Sequence, residues 1–115
     1  MNGSRGSVIF TAADKEVRVL FTNRSLADIE ATLNKSIIEI ARGLDDGHTG
    51  IRDVAVILRN GMEASRRDSR DGGRSVTLDD AYAVLDELGF ASVVSIVIPA
   101  VVEMLTPKTE DDDPN

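Results

Sequence analysis

The chain has 115 residues, enough for one domain with one modest core, and it contains no cysteine, so disulfides, thiolate metal sites and a cysteine nucleophile are excluded. Its net charge of −7 opposes nonspecific binding to nucleic acid or to an anionic membrane. Aromatic residues make up 3% of the sequence, so the core must be built from Val, Ile, Leu and Ala, and no base-stacking platform is available.

Residues 1–7 are rich in Gly, Ser and Asn and are expected to be disordered, with no apolar run of the kind a signal peptide needs. Val8–Thr11 and Val17–Thr22 read as two short strands joined by a turn at Ala12–Lys15, with Val17, Val19 and Phe21 on one face. A lone hairpin is marginal in water, so it must lean on the helices or pair with another chain. Ser25, with Asp28 three residues on, is the expected start of a first helix whose inner stripe is Leu26, Ile29 and Leu33. Ser36-Ile-Ile-Glu39 is a capping box and restarts the helical pattern through Ile40, Ala41 and Leu44. Residues 25–44 therefore read as two short helices at a bend or as one kinked helix.

Thr49 is the expected cap of the next helix, with a stripe at Ile51, Val54, Ala55, Leu58 and Met62 that Val56 and Ile57 widen. Residues 65–75 hold two adjacent glycines and no large apolar side chain, which predicts a surface loop. Thr77-Leu-Asp-Asp80 caps a further amphipathic helix that ends at Gly89, where a left-handed residue is expected, with Phe90 folding back on the last turn. Residues 91–105 are apolar on nearly every face. The β-branched residues between Val93 and Val102 suit a buried strand, whereas the length of the run favours a helix bent or shortened at Pro99. The run is too short to span a bilayer, and a soluble protein is expected. Residues 106–115 form an acidic tail expected to be solvated and disordered. The fold class is thus mainly α: a short N-terminal hairpin followed by four to five helices in one domain over residues 8–105.

No constellation of catalytic residues is present, and no enzyme activity or cofactor is expected. Asp45, Asp46 and His48 resemble metal ligands but sit in a Gly/Asp turn that uses the same residues for its own geometry. Asp68–Asp79 fails as a calcium loop because Arg70 and Gly72 stand where oxygen ligands belong, and Asp68-Ser69 lacks the helix that a phosphopantetheine site needs. Arg59, Arg66, Arg67, Arg70 and Arg74 gather five of the thirteen basic residues, and read either as an anion-binding loop or as charges balanced by nearby acids. The wide stripes propose a partner-binding surface at Ile51, Val54, Ile57 and Leu58 and at Val94, Ile98, Val101, Val102 and Leu105.

The order of segments carries a resemblance over about residues 8–105. Phe21-Thr-Asn23 closes the hairpin, and Leu26-Ala-Asp-Ile-Glu30 and Asn34-Lys-Ser36-Ile-Ile-Glu-Ile40 follow. Ile51-Arg-Asp-Val-Ala-Val-Ile-Leu58 then leads to Asn60-Gly-Met62, Val76-Thr-Leu-Asp-Asp-Ala81 and Leu85-Asp-Glu-Leu-Gly89. This series is similar to the small tail assembly chaperones of siphophages and to the related protein in the tail cluster of gene transfer agents. The resemblance implies a non-enzymatic chaperone that binds the tape measure protein, helps recruit tail tube subunits, works in the cytoplasm of the bacterial host and is missing from the mature particle. Two other readings stand beside it: a structural adaptor retained in the virion tail, and a small helical DNA-binding regulator supported by the Arg cluster alone. Self-association is a further expectation, from the free hairpin edge and the surplus apolar surface.

Overall fold

The computed structural model describes residues 5–70 and 72–107. Strands β1 (Ser7–Ala12) and β2 (Lys15–Leu20) pair antiparallel, Val8 opposite Val19 and Phe10 opposite Val17. The two residues between them, Ala13 and Asp14, both have positive φ (53° and 64°), the mirror-image turn whose twist matches that of the strands. Val17, Val19 and Phe21 are buried on the inner face, as their alternation predicts, and Ile9 and Arg18 share the outer one.

Helix α1 (Asn23–Leu33) begins two residues before the expected Ser25. Thr22 is its cap: the Thr22 hydroxyl accepts from the Ser25 amide (3.0 Å), and the Ser25 hydroxyl accepts in return from the Thr22 amide (2.8 Å). Asn34 then turns left-handed and stops the helix, so two helices, not one, occupy residues 23–46. The Ser36–Glu39 box starts α2 (Ile37–Asp46), and the Glu30 carboxylate reaches across the break to accept the Ile37 amide at 2.7 Å.

Helix α3 (Ile51–Ser69) is the hub, packing on β2, α1, α4 and α5. Its cap is Gly50, without a side-chain bond, not the expected Thr49. It also runs into the predicted loop, to Ser69, because Glu63 pairs with Arg66 and Arg67 one turn on, and those two cations lie at the negative end of the helix dipole. Arg70, left-handed, ends it.

Thr77 caps α4 (Leu78–Leu88) as predicted, with reciprocal Thr77–Asp80 bonds of 3.1 and 2.9 Å. Gly89 ends α4 and starts α5 (Phe90–Leu105), but at φ 93°, ψ 147° it is extended in a glycine-only region instead of left-handed helical. The axes consequently meet at 114°, and Phe90 is 37% exposed. The β-branched run is a helix throughout, with Pro99 inside it. Burial of Val93, Val97 and Val101 against the core overrides their strand preference. No single helix is long and apolar enough to cross a membrane among the described residues.

Residues 5–7, expected to be disordered, are tied to α5: the Arg5 guanidinium donates to the Glu103 carbonyl (2.6 Å) and to that of Thr106, and the Gly6 amide donates to the Glu103 carboxylate (2.8 Å). Thr106 returns its hydroxyl to the Val102 carbonyl at 2.8 Å, while the acidic tail from residue 108 on lies outside the described residues.

The closest approach in the core is at Gly61 of α3. A Cβ there would stand 2.4 Å from Val19 Cγ1 and 3.0 Å from the Phe21 ring, both in the buried hairpin face. Gly61→Ala gains about 1 kcal/mol of helix propensity but forces α3 off β2, which costs about 1–3 kcal/mol or more in a packed core. Thermal melts should show a net fall in Tm, and an unchanged or raised Tm would contradict this packing.

Candidate protein-interaction surface

The nine residues proposed for partner binding fall into two sets. Val54, Ile57, Leu58 and Val101 are at most 1% exposed and form the core itself, so for these four the expectation is corrected. The α3 stripe is wide because four elements surround it, not because a partner must cover it. Ile51 (59% exposed) and Val102 (44%) do face solvent, and Val94, Ile98 and Leu105 are half-buried.

What remains outside lies along α5. Residues 90–102 contain no charged side chain, in a chain of which 29% is charged. On a helix, Val94, Ile98, Val102 and Leu105 recur at intervals of four, four and three and so fall on one stripe, flanking the buried row of Val93, Val97 and Val101. The opposite flank, with Ser95, Ile96 and Pro99, faces β1 across an open groove of about 530 Å³ that also takes in Val8, Ile9 and Phe10. Strand β1 carries no charge in six residues, whereas β2 carries Lys15, Glu16 and Arg18, and Ile9 is 58% exposed. This groove is not among the surfaces expected from the sequence. Its signal was available in the contrast between the two strands, an uncharged edge beside a charged one.

A cleft of about 310 Å³ is bounded by Arg24, Asp28, Arg59, Asn60, Glu63 and Arg67. Its most buried polar groups already have partners within the molecule. The Glu63 carboxylate, 3% exposed, accepts two bonds from Arg66 (2.8 and 3.0 Å), one from Arg67 (2.9 Å) and one from the Val76 amide (2.9 Å). Arg59 donates to the Val76 carbonyl at 2.9 Å, and the buried Asn60 amide to that of Val56 at 2.9 Å. Arg74 grips Asp80 at 2.9 and 3.0 Å and holds that carboxyl far below the usual carboxylate range. Three of the five clustered arginines are therefore spent on acids, while Arg59 and Glu63, bonded to the Val76 carbonyl and amide, fasten the segment after α3 to that helix. Asp45, Asp46 and His48 are exposed, and among the described residues no three His, Cys, Asp or Glu side chains converge on a point where a cation could sit.

Compared with known protein families, curated proteins and solved structures, the chain gives no match. Its role must be argued from its own surface, which offers an uncharged helix flank and an uncharged strand edge.

The bonds from Arg66 above all, with those from Val76 and Arg67, outweigh burial and lower the Glu63 pKa from 4.5 to about 2. A carboxyl depressed on folding contributes stability that is complete above its unfolded value and lost as pH falls through the folded one. Wild-type Tm should therefore drop between about pH 4.5 and pH 2. Glu63→Gln should start lower at pH 7, and the gap between the two should close toward pH 2. A gap independent of pH would refute the ion cluster.

Proposed function

We propose that the chain is a non-enzymatic assembly chaperone of the phage-tail type, and that the uncharged flank of α5 holds helices of the tape measure protein. One observation carries this reading: in a chain of charge −7, residues 90–102 leave an apolar helix flank at the surface with no charged residue. Val102 is exposed there, and Val94, Ile98 and Leu105, packed against the core on one side, are partly exposed beside it. An amphipathic helix laid along that stripe removes apolar area from water at about 25 cal/mol per Å², and needs no polar anchor to do so. The resemblance of the sequence to tail assembly chaperones supplies the identity of the helix: a long tape measure protein whose apolar faces need cover before the tail tube encloses them. Recruitment of tail tube protein and action in the host cytoplasm belong to the same proposal.

The DNA-binding alternative is disfavoured by the ion pairs that occupy Arg66, Arg67 and Arg74, and by the acidic first turn of α4 with Asp79 and Asp80.

Co-expression with a fragment of the tape measure protein from the same tail gene cluster should move that fragment into the soluble fraction as a complex. Val102→Lys, at an exposed position, should weaken that complex by about tenfold or more, because it places a desolvated charge in an apolar contact, and should leave the helical circular dichroism intact. A fragment that stays insoluble, or a complex indifferent to Val102→Lys, would overturn the assignment.

A further inference from the structure

We propose that two copies of this chain join through the outer edge of β1, making one continuous four-stranded antiparallel sheet across a two-fold axis. The inference does not depend on what α5 binds along its other flank.

The backbone geometry sets which groups are available. The Phe21 amide donates to the Gly6 carbonyl at 2.8 Å, so Gly6 and Phe21 are a hydrogen-bonded pair of the ladder. Such pairs alternate along antiparallel strands. Val8 with Val19, Phe10 with Val17 and Ala12 with Lys15 are therefore the others, and the N–H and C=O of Ile9 and Thr11 point away from β2 toward the open edge. No other strand pairs there among the described residues.

The side chains suit a second β1 in particular. In a continuous sheet, residues opposite each other must share a face, so a β1 strand meeting its own copy antiparallel pairs residues whose numbers have an even sum. The register centred on Ile9 sets Ile9 against its own copy, placing the most exposed apolar side chain of the hairpin beside an identical one. The same register sets Val8 opposite the partner's Phe10 on the inner face, over the groove floored by Ile96, Pro99 and Ala100. The pairing brings no like charges together, because β1 has none. The nearest residue on the outer face that carries one is Arg18, a strand further in, so that the two copies of Arg18 stand about 14 Å apart at a spacing of about 4.8 Å per strand. In a molecule of charge −7 this seam joins two strands that carry no charge of their own. Natural edge strands that must stay single carry lysine, proline or a bulge. Strand β1 carries none of these, and its own hairpin partner is the charged one.

Light scattering or sedimentation of the full chain at tens of micromolar should return twice the 12.4 kDa of one copy. Ile9→Lys sets two ammonium groups face to face at the axis and should weaken the dimer by tenfold or more, with the melting profile of the monomer preserved; Thr11→Lys, on the same edge, serves if Ile9→Lys misfolds. Because the chain has no cysteine, Ile9→Cys gives a single thiol per copy, and a short bismaleimide should link two such chains efficiently while linking Arg18→Cys chains poorly. A wild-type monomer at these concentrations, a dimer indifferent to both lysine variants, or linkage stronger at residue 18 than at residue 9 would overturn the proposal.

Discussion

The contact between α3 and β2 at Gly61 governs the rest of the molecule. A two-stranded hairpin has too little buried surface to persist alone, and here Val17, Val19 and Phe21 are held because α3 comes close enough to seal them. Only a residue without a side chain allows that approach, with Val19 Cγ1 seated where a Cβ would otherwise be. Once α3 lies on the hairpin, its remaining sides are free for α1, α4 and α5. The resulting core is almost entirely aliphatic, with one aromatic ring, Phe21, fully enclosed at its centre.

A buried acid completes the hub. Glu63 sits on the same helix as Gly61, and its four hydrogen bonds serve two of the arginines and the backbone at Val76. Enclosed ion pairs of this kind add little net stability over an apolar substitute, because desolvation offsets most of the attraction. Their effect here is geometric: they fasten the start of α4 against α3, so that Thr77 can cap α4 in a defined place. The 114° turn at Gly89 then sends α5 back across the hairpin and leaves one helix flank and one strand edge uncovered.

Much of this was legible in advance wherever the information was local. The caps at Ser36 and Thr77 need only a hydroxyl and an acid three residues apart, and the inner face of β2 needs only alternation. What was missed depended on distant partners. Thr22 was passed over as a cap because its reciprocal partner is Ser25, an uncommon substitute for Glu or Gln. Helix α3 looked finished at residue 64 because the charged residues beyond it have no apolar stripe, yet Glu63 holds them from within. The wide stripe at Val54, Ile57 and Leu58 resembled an exposed interface because periodicity records how much of a helix is apolar, not how many neighbours stand ready to cover it. The groove beside β1 joins residues 7–10 to residues 95–103, and of the two walls only the uncharged strand stands out in the sequence.

The clasp at the two ends of the described chain has a topological consequence. Arg5 and Gly6 bind Glu103 and Thr106, so residues 5–106 nearly close into a ring. The wall between those two ends is mended by hydrogen bonds instead of a peptide bond. A gene rearranged to join these points through a short linker, and reopened among the exposed residues 72–75, would encode the same interior in a different order.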